Sequence, residues 1–248
     1  MPVFDADEEF LGQVTRRLEG WLTDDDAEVT AGLLRLQEVA EGDAPLVEIG
    51  IYCGKYLSLL IASAARTQSR VLGIDTFQFK DLAAVTSGLT ALMPDLISSL
   101  SLHAGSSQEL TPESLLGMLG RPARFISVDG SHEYADVLHD LRLADAAVAA
   151  GGLVAVDDFL NPLTLGVNRA VNVFMESGPD LVGVACGANK LYLARPMHAG
   201  FYREHLEQHL LTTAAGRGER FRARLATWRG LVEQDFFGRP ALLYTAPG

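Results

Sequence analysis

Several short apolar runs in this chain end in acid. LVEIG carries Glu48 just before Gly50, RVLGID closes on Asp75, RFISVD closes on Asp129, and GLVAVD closes on Asp157 with Asp158 beside it. Runs of this length, rich in Val, Ile and Leu and bounded by Gly or Asp, read as strands. Carboxylates at the ends of parallel strands converge on one edge of a sheet, where α/β proteins bind their ligands. Asp129, Asp157 and Asp158 together offer oxygen donors that suit Mg²⁺ or a similar hard divalent cation. No cysteine lies among them, which argues against zinc. Both Asp157 and Asp158 reach one site only if the backbone turns there, and DDFLNP supplies a turn. His132, three residues after Asp129, is the candidate general base, because an imidazole titrates near neutrality. The bland alternatives stay open: the paired aspartates could cap the next segment or hold a cofactor, and His132 could open a helix and bond Asp136.

The turn EIGIYCGKYLS places Gly50 and Gly54 between the first strand and a helix. A phosphate-binding P-loop needs four residues between its glycines and Ser or Thr after the lysine, whereas here three intervene and Tyr56 follows Lys55. A dinucleotide fingerprint needs glycine where Tyr52 stands, and that side chain obstructs a pyrophosphate. E-x-G-x-x-x-G remains, a turn for a ligand with no phosphates to cradle. Asp75, placed to accept hydrogen bonds from both hydroxyls of a ribose, makes that ligand a nucleoside. S-adenosylmethionine fits this description.

The elements that must position these groups alternate. Strand candidates at Leu46–Gly50, Arg70–Asp75, Ser101–Gly105, Arg124–Asp129 and Gly152–Asp157 are separated by helical stretches, the clearest from about Glu133 to Ala150. Thr111-Pro112 reads as a helix cap with proline in the first turn. Leu181–Cys186 and Lys190–Arg195, joined by GAN, read as an antiparallel pair. The fold class is therefore α/β, a doubly wound, Rossmann-like, mostly parallel sheet of seven strands with an antiparallel last strand. Helical spacing before it, with an acidic turn at Asp24 to Asp26, and after it, from Tyr202 to Val232, predicts N- and C-terminal helical extensions. The expected division is 1–44, 45–196 and 197–248, within one compact unit.

VEIGIYCGKYLSLLIA, VLGIDTF, HAGSSQEL and FISVDGSHEYADVLHDLRLADAAVAAGGLVAVDDF resemble successive motifs of the class I S-adenosylmethionine-dependent methyltransferases. The resemblance is to the branch of small-molecule O-methyltransferases that includes macrolide-sugar methyltransferases and cephalosporin hydroxylase-like proteins, and it covers roughly Pro45 to Arg195. It implies that Glu48, Gly50, Tyr52, Gly54 and Ser58 line the methionine end of the cofactor and that Asp75 binds the ribose. Ser106 and Ser107 would lie near the adenine with Phe77 beside it. Asp129 would serve both the cofactor and the metal.

The composition narrows the function further. The 248 residues carry a formal net charge of −12, against the positive field that sequence-tolerant nucleic-acid binding needs. No apolar run approaches the ~18 residues that cross a bilayer, and the acidic start MPVFDADEEF is unlike a secretory signal, so a cytoplasmic location is expected. Two cysteines, Cys53 and Cys186, are too few for a disulfide framework. The expected activity is metal-dependent O-methyl transfer to a hydroxyl of a small natural product, by a homo-oligomer whose acceptor is chosen by the N-terminal helices, the stretch Phe77 to Ser99 and the tail. The rival expectations are a methyltransferase-like metal enzyme of other chemistry, as in the hydroxylase branch, and a non-catalytic cofactor-binding assembly subunit.

Overall fold

The computed structural model describes residues 10, 12–187, 189–212 and 232–244. The chain alternates β1 (Leu46–Ile49), α2 (Leu57–Thr67), β2 (Val71–Asp75), α3 (Leu82–Leu92), β3 (Leu100–Ala104), α4 (Pro112–Leu119), β4 (Ala123–Val128), α5 (Tyr134–Ala147) and β5 (Val148–Val156), preceded by α1 (Asp24–Ala40). It continues through α6 (Leu165–Glu176), β6 (Val182–Gly187), β7 (Lys190–Ala194), α7 (Pro196–Thr212), β8 (Val232–Phe236) and β9 (Arg239–Leu243). The sheet order is β3-β2-β1-β4-β5-β7-β6-β9-β8. The first five strands pair in parallel, and β7 runs antiparallel to both β5 and β6.

Alternation along the strands builds two apolar layers, as a sheet covered on both faces requires. Leu46, Phe125, Leu153 and Ala155 point to the side covered by α1, α2, α3 and α7. Val47, Ile126, Val154 and Val156 point to the side covered by α4, α5 and α6. The helix starts are capped locally. Thr111 accepts from the Ser114 amide in a reciprocal capping box, with Pro112 in the first turn as the sequence predicts. Thr23 accepts from the Asp26 amide, so Asp24, Asp25 and Asp26 form the first turn of α1 rather than a turn between helices. Three acids at a helix N-terminus offset its dipole, which explains why so charged a stretch is helical.

Two further departures from the sequence reading concern where elements end. The helix read to Ala150 stops at Ala147, because β5 already pairs with β4 from Val148. The sheet has nine strands rather than seven, because residues 232–243 fold into a β8–β9 hairpin that joins β6 through β9. Phe237 and Gly238 turn that hairpin with φ of 53° and 75°, the backbone of a two-residue type I′ turn. Trp228 and the rest of the expected helical pattern between residues 213 and 231 lie outside the described residues. Among the described residues, no helix is long and apolar enough to cross a membrane.

The ladder brings the strand ends level. The Gly50 amide donates to Ile74 O, the Asp129 amide to Ile49 O, and the Asp157 amide to Val128 O. Glu48, Asp75, Asp129 and Asp157 therefore stand along one edge, and the site is built there.

Candidate active site

The turn after β1 is held by the acid at the end of β2. Asp75 Oδ2 accepts from the amides of Ile51 (2.7 Å) and Tyr52 (3.1 Å), and its Oδ1 accepts from the Phe77 amide (2.7 Å). Gly50 has φ 85°, and a Cβ there would lie 1.9 Å from Asp129 O, so glycine is what lets the first turn pass against the end of β4. A cavity of about 600 Å³ opens over this turn, lined by Gly50, Tyr52, Asp75, Phe79, Ser106 and Ser107 among others, with Asp129 and His132 at one end.

A second cavity of about 670 Å³ lies on the other side of Tyr52, lined by Glu48, Tyr56, Asp157, Asp158, Trp21 and Leu163 among others. The two share Gly50, Tyr52, Asp129, Gly130 and His132 as a common wall. At that wall one donor atom each from Asp129, His132 and Asp158 lie within 4.8 Å of one another, a spacing that can hold a divalent ion. Two carboxylate oxygens and an imidazole nitrogen suit Mg²⁺ or Mn²⁺, the nitrogen adding some preference for the latter. The buried Oε2 of Glu48 at the same edge has no hydrogen-bond partner, and burial pushes this carboxyl well above the usual carboxylate range.

Each acid of this edge has a distinct environment. Asp158 sits in the left-handed region at φ 59°, which Asp tolerates, so the backbone turns after β5 as DDFLNP suggests. Burial works against its charge, yet hydrogen bonds from His132, Asn161 and Asn189 hold it well below the usual carboxylate range. His132 Nε2 lies 2.8 Å from Asp158 Oδ2, and that bond raises the imidazole above its ordinary value despite partial burial. Burial, and then the neighbouring Asp157, push Asp129 and its proton affinity up. Asp157 turns the other way: its Oδ1 is 3.0 Å from Nζ of Lys190, which is 1% exposed at the start of β7.

The segment before α1 closes the second cavity. Lys55 Nζ donates to Gly20 O (2.9 Å), Tyr52 Oη donates to Glu19 Oε1 (2.5 Å), and Lys80 Nζ donates to Glu19 Oε2 (2.8 Å). These contacts seat Trp21 on Tyr52 with ring centroids 5.7 Å apart and planes at 29°. Trp21 remains 86% exposed, so its outer face is free to receive a ligand.

The model of a methyltransferase domain family matches residues 47–159, the span from β1 through the acid pair and its turn. This segment is a methyltransferase domain. Its fold is that of solved structures at low identity, O-methyltransferases among them. CalS11, a TDP-rhamnose 3'-O-methyltransferase of calicheamicin biosynthesis, is 19% identical over 78% of this chain and 88% of its own, with a TM-score of 0.56. Rv0187 from MTB, solved with cofactor bound, is 17% identical over 79% and 89%, with a TM-score of 0.57. An O-methyltransferase from Bacillus cereus, solved in complex with SAH, is 16% identical over 78% and 91%, with a TM-score of 0.53. At these identities the likeness is one of fold. No curated protein sequence matches the chain.

Within the methyltransferase domain, Gly50, Tyr52, Asp75, Ser106, Ser107, Asp129 and His132 are brought together around the first cavity. Four residues of that reading stand elsewhere. Glu48 faces the second cavity, not the first. Gly54, at φ 79°, turns the chain against Leu89 and lines neither cavity. Ser58 is fully buried, bonded to Thr15 Oγ1 and Lys55 O. Phe77 packs into the apolar layer, and Phe79 takes the place at the cavity rim. Asp157 stands beside Lys190, and the three donor atoms that lie within 4.8 Å of one another come from Asp129, His132 and Asp158. Lys190, Glu19, Trp21 and Asn189 were missed altogether. Asn189 and Lys190 close the turn between β6 and β7, where the sequence signals only an antiparallel strand pair.

Beside the loop that follows β3, Asp140 of α5 is 1% exposed and accepts from Gln108 Nε2 (3.2 Å). Burial raises its pKa from 3.8 to about 6, against a hydrogen bond from Ser107. An acid raised in the folded state is stabilising below its unfolded value, and that contribution is lost as pH rises through about 6. Asp140→Asn should therefore flatten the fall in Tm between pH 4 and pH 7, with an upper bound of ~3 kcal/mol on the stability recovered. An unchanged Tm profile would remove Asp140 from the pH response.

Proposed function

We propose that this chain transfers a methyl group from S-adenosylmethionine to a hydroxyl of a small, ring-bearing natural product, with a divalent ion assisting. The observation that carries this reading is the pair of cavities that meet at one wall, with Asp129, His132 and Asp158 at the junction. Displacement at a methyl carbon needs donor and acceptor aligned from opposite sides, and two cavities in series supply that alignment. S-adenosylmethionine, when bound, supplies an electrophilic methyl carbon on a sulfonium.

Asp75 holds the glycine turn and keeps lone pairs for a ribose on the cavity side. Ser106 and Ser107 border the far end, where an adenine would lie. Tyr52 separates the cavities, with Trp21 stacked on it at the rim of the second. Asp129 and Asp158 would hold the ion, which lowers the pKa of a bound hydroxyl. His132, oriented by Asp158, takes the hydroxyl proton. Trp21 offers a flat face for a sugar or aromatic ring, which favours a ring-bearing acceptor.

Titration calorimetry with S-adenosylhomocysteine tests the cofactor assignment; micromolar binding is expected, and no heat would overturn it. Acceptor choice is tested on Trp21→Ala, for which KM should rise about 3- to 10-fold with kcat little changed, the worth of one ring contact. An unaltered KM would place the acceptor away from Trp21.

A further inference from the structure

We propose that Lys190 is an internal cation that withdraws Asp157 from the metal site, leaving Asp129 and Asp158 as its carboxylate ligands. The inference rests on the divalent-ion part of the reading above. Asp157 and Asp158 are neighbours in sequence and look equivalent there, yet the structure gives them different partners. Asp158 faces His132, Asn161 and Asn189, while Asp157 Oδ1 lies 3.0 Å from Lys190 Nζ.

Lys190 has no route to solvent at 1% exposure, and its Nζ also lies 4.1 Å from the centre of the Tyr56 ring. A buried ammonium needs an anion close by, since an unpaired charge in the interior is strongly destabilising. The pairing is therefore set by burial and is not an optional surface contact. Tyr56 is fixed in turn, because Thr30 Oγ1 donates to its hydroxyl and also bonds the Tyr192 hydroxyl. The ammonium is thus held against Asp157 from behind by a packed aromatic layer.

Charge balance points the same way. Asp129, Asp157 and Asp158, ionised as an ion-bound site requires, carry three negative charges; Lys190 leaves two, which one divalent ion offsets. Without Lys190 a third carboxylate would be free to turn toward the ion. Lys190 is on this view a positioning residue, acting on the metal through Asp157.

The test is Mn²⁺ binding to the full chain, by calorimetry and by the loss of the free-ion paramagnetic resonance signal, so that no turnover is needed. Asp158→Asn should weaken Mn²⁺ binding about 30-fold or more, while Asp157→Asn should change it less than about 3-fold. Lys190→Met should tighten binding about tenfold by releasing Asp157, and the Lys190→Met/Asp157→Asn double variant should return it to near the wild-type value. Asp157→Asn weakening binding as much as Asp158→Asn overturns the proposal, as does Lys190→Met that folds and binds no tighter. If Lys190→Met fails to fold, the comparison of the two asparagine variants decides alone. A wild-type chain that binds no Mn²⁺ removes the metal part of the proposed function and this proposal with it, whereas wild-type binding with another ranking removes this proposal only.

Discussion

Gly50→Ala is expected to abolish cofactor binding and to lower Tm by ~5–15 °C. Two independent costs add at this position. A non-glycine residue at φ 85° is strained by about 1–2 kcal/mol. Its Cβ would also stand 1.9 Å from Asp129 O and 2.6 Å from the Gly130 Cα. Both of those are backbone atoms at the end of β4, so no rotamer change relieves the contact. Relief requires parting β1 from β4, and the Asp129 amide bond to Ile49 O is what joins them there. The wall shared by the two cavities opens with them. Gly88→Ala is the control, since a Cβ on that exposed turn of α3 meets nothing within 4 Å. It should raise stability by up to ~1 kcal/mol through the unfolded chain. Equal Tm values for the two variants would show that the approach of β1 and β4 is not tight.

The second large effect is expected at His132. Replacing it by Ala should lower kcat by about 10²- to 10⁴-fold, the usual worth of a positioned general base. Added imidazole should restore part of the rate, because the space left is at the junction of two open cavities. Mn²⁺ affinity should fall less than about 3-fold if Asp129 and Asp158 carry the ion. A loss of metal affinity parallel to the loss of rate, with no rescue by imidazole, would make His132 a ligand and not the base. Asp158→Asn should remove both functions together, since that carboxylate orients the imidazole at 2.8 Å and offers an oxygen to the ion.

Much of this edge is legible in the chain alone. The strand ends announce themselves because buried parallel strands are continuous apolar runs, and Asp75, Asp129 and the Asp157-Asp158 pair stand where those runs stop. Gly50 is legible because a turn between strand and helix with an acid behind it has few other uses. What was not legible depends on contacts between distant segments. The division of labour between Asp157 and Asp158 is decided by Lys190, 33 positions further on from Asp157. Trp21 becomes a cavity wall only because Lys55, Lys80 and Tyr52 seat the loop before it. The β8–β9 hairpin is hidden because VEQDF is the edge strand, where one neighbour suffices and no apolar run is needed, and RPALL meets β6 only at Leu242 and Leu243.

The reversed direction of β7 has a consequence for how the chemistry is built. A parallel strand delivers its last residue to the ligand edge, and whatever follows belongs to a loop. A strand running the other way delivers its first residue there: Lys190 pairs with Gly187 of β6, and from Leu191 onward β7 is laddered to β5 as well. Groups carried by the loops can be re-aimed by a small insertion, so they are free to follow a changing acceptor. Lys190 cannot be re-aimed in that way without sliding the register of β7 against two neighbours. The sheet therefore keeps one fixed positive charge at its ligand edge while the surrounding rim is left open to revision.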